Sequence, residues 1–293
     1  MSESSAASGG ARALRAPSHA ERRASRDGYF APESVIRRVG NSPVAPFLGG
    51  GAAVLLQVAH PLVAAGVAEH SGYGADLWRR LVRTLRALYL ITYGSKAEAE
   101  QAAAAVRAVH ARVRGTTRES LGVFPAGTPY SAEDPELALW VHATLVHASL
   151  SAYQRFERAL SRAEQERYYR EMAVVARLFG TPAEVIPPTL ADFRDYFSAQ
   201  IEGDTIAVTR PAREIAAVIL RAPLPAPLRV LAPAHRLATA AQLPPRIRRE
   251  YGLRWTPLLE PLLAAVGPAV RLGSWPALRV AVRLRPPLTA NAA

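Results

Sequence analysis

The stretch Gln57-Val58-Ala59-His60-Pro61-Leu62-Val63-Ala64-Ala65-Gly66-Val67-Ala68-Glu69-His70-Ser71 sets two imidazoles and a carboxylate into a run otherwise made of Ala, Val, Leu and Gly. Burying such groups without a partner is costly, so their presence on an apolar helix points to a bound ligand or a built hydrogen-bond network. The apolar run extends back to Val44. Gln57, His60, Pro61 and several glycines break it, which leaves no clean apolar span long enough to cross a bilayer. Segment 52–70 is therefore expected to be a buried helix. Pro61 has no N–H to give, so the Gln57 carbonyl is freed and the helix should kink beside His60.

Outward from this stretch the chain reads as helical. Segment 75–93 carries Leu77, Leu81, Leu85 and Leu88 as a stripe and stops at Gly94. Ser95 with Glu98 three residues on forms a capping box for a third helix, which runs to Arg114-Gly115. Residues 116–132 read as a loop. Asp134-Pro135 starts a long helix to about Leu160, and Ser161 with Glu164 caps the next, which should stop at Phe179-Gly180. Thr189 to Gln200 and Ala212 to Arg221 read as shorter helices. No segment shows sustained strand alternation, and the expected fold class is all-α.

Composition bounds the function. At 293 residues with no Gly/Ser linker between apolar blocks, the chain is expected to hold one main domain, residues 29–220. A Ser-, Ala-, Gly- and Arg-rich lead-in, 1–28, is expected to be disordered, without the apolar region of a secretory signal. A basic, proline-rich extension, 221–293, should form short helices. The absence of Cys excludes disulfides, thiolate haem ligands, iron–sulfur clusters and Cys-based zinc sites, and fits a reducing, cytoplasmic setting. The formal charge of +12 does not mark a nucleic-acid binder: of 36 basic residues only Lys96 is a lysine, the excess sits at the two ends, and no stacking aromatics interleave a basic groove. Residues 221–293 carry eleven Arg against Glu250 and Glu260. With their Leu and Trp content they suit either packing over the main bundle or peripheral contact with an anionic membrane surface.

Further polar groups fall on apolar faces. His110 has Val106 and Val113 beside it, and His142 lies among Ala138, Leu139, Leu145 and Val146. Taken singly, each reads more readily as a hydrogen-bonded core histidine than as a ligand. His147, five residues past His142, is rotated away from it and does not complete a two-point clamp. Arg80 and Thr84 lie one turn apart with Arg83 between them, either a solvated basic face or the rim of a pocket. No Glu-x-x-His pair suggests a di-iron bundle, and no His-Glu-x-x-His suggests zinc. A haem uses the whole set: an axial His, Arg for propionates or bound oxygen, and apolar walls.

The motifs Gln57-x-Ala59-His60-Pro61-x-Val63-x-x-Gly66-Val67-x-x-His70-Ser71, Arg80-x-x-Arg83-Thr84, His110-x-x-Val113-x-Gly115, Tyr130-x-Ala132-x-Asp134-Pro135 and Trp140-Val141-His142-Ala143-Thr144-Leu145, in this order, resemble the family of the rubber oxygenase (latex clearing protein) and the mpaB-type prenyl-chain oxygenase. The resemblance spans roughly residues 30–200. It implies a globin-like helical bundle around a buried haem b, and oxidative cleavage of an alkene in an isoprenoid or lipid-like molecule by dioxygen. Carried over by position, His110 is the proximal iron ligand, Arg80 and Thr84 are the catalytic pair near the haem, His142 and His60 are pocket histidines, and Glu69 is a possible base. Arg83 stands where the rubber-cleaving branch has a Lys able to cap the iron. A guanidinium is too basic for that role, so an open or water-bound distal side is expected. Alternatives to the oxygenase are a haem peroxidase or peroxygenase, and a non-catalytic haem or lipid carrier.

Overall fold

The computed structural model describes residues 27–42, 44–70, 75–221, 229 and 231–268; for 44–46 and 75–82 it describes the backbone alone. The helices are α1 (Val35–Asn41), α2 (Val44–Ala59), α3 (Pro61–His70), α4 (Ala75–Tyr93), α5 (Lys96–His110), α6 (Pro135–Phe156), α7 (Arg162–Leu178), α8 (Leu190–Glu202), α9 (Arg210–Arg221), α10 (Ala232–Gln242) and α11 (Pro245–Glu250). A last one, α12, spans Leu259–Pro268. The fold is all-α, as the sequence implied. The loop expectation for 116–132 is corrected at its edges, where β1 (Arg114–Thr116) pairs antiparallel with β2 (Pro129–Ser131). Three residues per strand are too few to show an alternation.

α2 is the axis of the molecule. Its Leu48, Leu55 and Leu56 are fully buried, and it packs on α6, α9 and α10. The kink at Pro61 is a full break: the two helix axes meet at 105°. The carbonyls that lose their helical donors find others. Trp140 on α6 donates its indole N–H to the oxygens of Leu56 (3.2 Å) and Gln57 (3.3 Å), and Ala207 N–H donates to Ala59 O (2.9 Å). The proline's missing donor is thus balanced by a core tryptophan, itself stacked on Phe197 at 5.7 Å.

Most helix termini follow the sequence signals closely, but α5 ends at His110, short of the expected Arg114-Gly115, because that pair belongs to β1. Ser95/Glu98 and Ser161/Glu164 form reciprocal capping boxes, and Asp134 caps α6 by accepting from the backbone of Glu136 and Leu137. α7 ends at Gly180, whose φ of 100° is the left-handed residue of a Schellman turn, closed by Thr181 N–H to Ala176 O. α6 stops at Phe156, four residues short of the expected Leu160. Asp27 and Gly28, the end of the expected lead-in, pack on the α4–α5 turn, where Lys96 N–H donates to Asp27 O. The rest of that lead-in lies outside the described residues, as do 222–228 and 269–293. The described part of the basic extension is bolted to the bundle: Gln242 donates to Leu48 O, Tyr251 to Leu55 O, and the Arg246 guanidinium to the carbonyls of Ile201, Gly203 and Ile206. No single helix among the described residues is long and apolar enough to cross a membrane.

Candidate functional site

The break at His60-Pro61 swings α3 away from the line of α2 and opens a cavity between them, closed by α4, the end of α5, β2, α6 and the end of α7. The space open to the centre of a water molecule is about 200 Å³. Small residues create it: Gly50 and Ala53 on α2, Gly66 on α3, Ala138 on α6. A Cβ added at Gly50 would meet nothing within 4 Å. Most of the wall is aliphatic, and the polar groups on it are few: Gln57, Thr84, His110, Tyr130, Ser131, His142 and Thr181.

His142 is the deepest of these. Its ring is buried, and neither nitrogen has a hydrogen-bond partner in the protein. Burial alone holds it neutral, with the pKa pushed down to about 4. Buried side-chain nitrogens are rarely left in that state without a ligand or an ordered water to satisfy them. His110, at the C-terminal end of α5, lines the same cavity and is half-buried. Thr84 joins them from α4 with Leu85 and Leu88. Arg80, one turn earlier on that helix, has a side chain outside the described atoms, as have Leu77 and Leu81 of the expected stripe.

The remaining candidates lie off the wall. His60 is buried at the break, where its Nδ1 accepts the Leu62 N–H at 3.2 Å and its ring tilts over Phe124 at 5.5 Å. It caps α3, a structural duty that the sequence does not separate from ligation. Arg83 is exposed and Arg83 does not line the cavity. Glu69 is exposed too, bridging outside the wall: it accepts from the Tyr130 hydroxyl and pairs with Arg118 at 2.9 Å. Those bonds, the Tyr130 one first, hold its carboxyl below the usual range. A carboxylate so stabilised is a poor proton acceptor.

Tyr130 was visible in the sequence only as part of a motif, yet it joins cavity and surface. Its ring is wall, and its hydroxyl binds Glu69 and lies 3.4 Å from His70 Nε2. Gly115, its neighbour in the β1–β2 register, makes this possible, because a Cβ there would stand 2.7 Å from the Tyr130 hydroxyl. Burial, then the Glu69 hydrogen bond, push the phenol's pKa up, so it is a donor at all ordinary pH. Gln57 and Thr181 were also missed. Gln57 carried the same signal as His60, a polar group in an apolar run; Thr181 reaches the wall only through the Schellman turn after α7. Among the described residues no three His, Asp or Glu side chains converge on a point where they would hold a bare metal ion.

Comparison with known proteins gives one family. The sequence model described as ER-bound oxygenase mpaB/B′/rubber oxygenase, catalytic domain, matches residues 37–272. Two uncharacterised proteins, from Mycobacterium bovis and Mycobacterium tuberculosis, are each 27% identical over 209 residues, covering 69% of this chain and 78% of their own. Among solved structures, latex clearing protein in its closed state superposes with a TM-score of 0.56 at 22% identity, over 92% of this chain and 73% of that one. At that identity the likeness establishes a shared fold.

Proposed function

Because the chain belongs to the family of the ER-bound oxygenases mpaB/B′ and rubber oxygenase, we propose that it is a haem b-dependent oxygenase, cleaving a carbon–carbon double bond of an isoprenoid or lipid-like small molecule with dioxygen. The observation that carries this reading is the pair His110 and His142 on the wall of one aliphatic cavity, with both nitrogens of His142 unsatisfied. The residues fit the group. A porphyrin brings its own equatorial nitrogens and needs only one or two protein ligands, which suits a wall without a three-ligand cluster. The open space at Gly50 suits a flat apolar ring.

In this reading His110 holds the iron, whose chemistry when bound is the activation of dioxygen. His142, neutral above about pH 4, presents an N–H or a lone pair inside the cavity without a competing protein partner. Thr84 offers a hydroxyl from α4, and Arg80 stands one turn before it on that helix. The aliphatic walls exclude water and favour an unsaturated hydrocarbon over a polar substrate. Both oxygen atoms of dioxygen end in the two carbonyl products, so the overall cleavage balances without an added reductant. The Cys-free chain suits the reducing cytoplasm as the setting.

Protein produced with adequate iron and haem precursor is expected to purify with a Soret band and about one haem b per chain. His110→Ala should lose most of the haem, whereas Thr84→Val should keep the haem and lose oxygen-dependent cleavage of a polyprenyl test substrate. A chain that stays colourless after haem reconstitution overturns the haem reading. Retention of haem by His110→Ala with loss in His142→Ala would transfer the axial role to His142.

A further inference from the structure

The C-terminal end of α11 and the turn after it gather positive charge without neutralising it. Gly252, at φ 69°, reverses the chain, with Gly252 N–H donating to Arg249 O and Leu253 N–H to Arg248 O. The reversal returns Arg254 and Trp255 beside Arg248 and Arg249, around an open depression of about 440 Å³. The Arg248 guanidinium lies over the Trp255 ring at 4.8 Å. Nearby carboxylates are already taken, Glu250 by Arg246 and Glu260 by Arg155. The Arg248 guanidinium donates to Ala240 O at 3.4 Å and lies in the field of Glu260, whereas among the described residues no carboxylate forms an ion pair with Arg249 or Arg254.

The next turn of chain presents apolar surface to solvent. Leu258 is 85% exposed and Leu262, four residues on, is 58% exposed, while Leu263 and Val266 on the other side of α12 are buried in the core. α12 is thus apolar on two faces and has a protein partner for one. Exposed leucines beside Trp and unneutralised Arg are the composition of a segment that lies in a bilayer interface. A second copy of this chain would bring like charge to the same face. Residues 269–293 add four more Arg and no acidic side chain, so they cannot neutralise it either.

We propose that Arg249, Arg254, Trp255, Leu258 and Leu262, with Arg248 holding the Trp255 ring in place, form a docking face for an anionic phospholipid bilayer, the Arg249 and Arg254 guanidiniums taking lipid phosphates and the leucines entering the apolar layer. The proposal is independent of the haem reading.

The test is co-sedimentation of the full chain with vesicles of phosphatidylcholine alone and of phosphatidylcholine with phosphatidylglycerol, at low and high salt. Binding is expected on the anionic vesicles at low salt, falling as salt rises. Arg249→Glu with Arg254→Glu, both exposed positions, should weaken it by at least tenfold. Leu258→Asp with Leu262→Asp should remove the part that survives high salt. Arg162→Glu with Arg177→Glu makes the same charge change elsewhere and should bind as the parent does, with melting curves confirming that all variants fold. Equal binding to neutral vesicles, no binding at low salt, or equal loss in the control overturns the proposal. So does a dimer in light scattering that Leu258→Asp with Leu262→Asp dissolves, since the face would then join two copies.

Discussion

Two buried histidines, His142 on α6 and His235 on α10, share burial, a lowered pKa and an unsatisfied Nδ1, and differ in what lies in front of them. Burial pushes both pKa values down to about 4; His142 has both ring nitrogens buried without a protein hydrogen bond, and His235 has its Nδ1 so. His142 opens on a cavity. His235 is packed against Phe47 at 5.5 Å and sits where a Cβ added at Gly51 would stand 3.0 Å from its ring. The same contrast runs through two consecutive residues of α2: Gly50 faces open space, and Gly51 faces the packed His235–Thr239 edge. A neutral imidazole with an unsatisfied nitrogen is therefore not sufficient for a ligand site. The free volume beside it decides.

The sharpest way to break the comparison is to fill both glycines. Gly51→Ala places a methyl 2.3 Å from Thr239 Oγ1 and 3.0 Å from His235 Cε1, so α10 must move off α2. A loss of about 1–3 kcal/mol is expected, the range for overpacking a close-packed interior. Gly50→Ala meets nothing within 4 Å, and as a helix-interior Gly→Ala it should stabilise by up to about 1 kcal/mol. Its cost falls on the cavity, as weaker haem uptake. Denaturant unfolding of both variants, with and without haem, reads the two effects separately. Equal destabilisation of the pair would erase the distinction drawn between the two sites.

Acid sharpens it next. His60, His142 and His235 each have a folded pKa near 4 against about 6.5 in the unfolded chain. The unfolded state then binds more protons between those values, so the stability these groups contribute is complete above about pH 6.5 and is lost as pH falls toward 4. Each group can contribute a slope of up to about 1.4 kcal/mol per pH unit in that window. Replacing His235 by Asn should remove its share whether or not haem is present. Replacing His142 should change the slope strongly in the apoprotein and less once the cavity is filled. Thermal melts from pH 4 to 7 test this, and identical slopes for parent and both variants would show that neither ring is buried neutral.

Much of the scaffold was legible because its signals are local. Ser95/Glu98, Ser161/Glu164, Asp134-Pro135 and Phe179-Gly180 mark helix ends through bonds made within a few residues, and all four fall where the sequence placed them. The break at Pro61 was legible for the same reason, though the Trp140 indole that donates to the Leu56 and Gln57 carbonyls beside it lies far along the chain. The site was less legible. His60 and His142 carry one signal in sequence, an imidazole among aliphatics, yet His60 spends its Nδ1 on the Leu62 N–H while His142 keeps both nitrogens. Glu69, a candidate base from the resemblance, is a surface carboxylate held by Arg118 and Tyr130. The β1–β2 hairpin that brings Tyr130 to the wall is too short to be seen in a periodicity.

That hairpin gives the smallest expected effect. Tyr130→Phe keeps the ring on the cavity wall and removes the hydroxyl that donates to Glu69. The loss should be about 1 kcal/mol, since one hydrogen bond to a partly solvated carboxylate is replaced by water on the Glu69 side only. The sign with pH is specific. Glu69 has a lowered folded pKa, chiefly through Tyr130, so its stabilisation is present above the unfolded carboxylate pKa and is lost as pH falls through the folded one. In Tyr130→Phe that acid-dependent part shrinks, and the variant should differ from the parent more at pH 7 than at pH 3. Arg118→Ala removes the second bond to the same carboxylate from the solvent side, with a smaller effect still. If Tyr130→Phe is indistinguishable from the parent at both pH values, the hairpin is held to α3 by its apolar contacts, the tyrosine ring clustered with Leu62, and the Glu69 bond contributes nothing measurable.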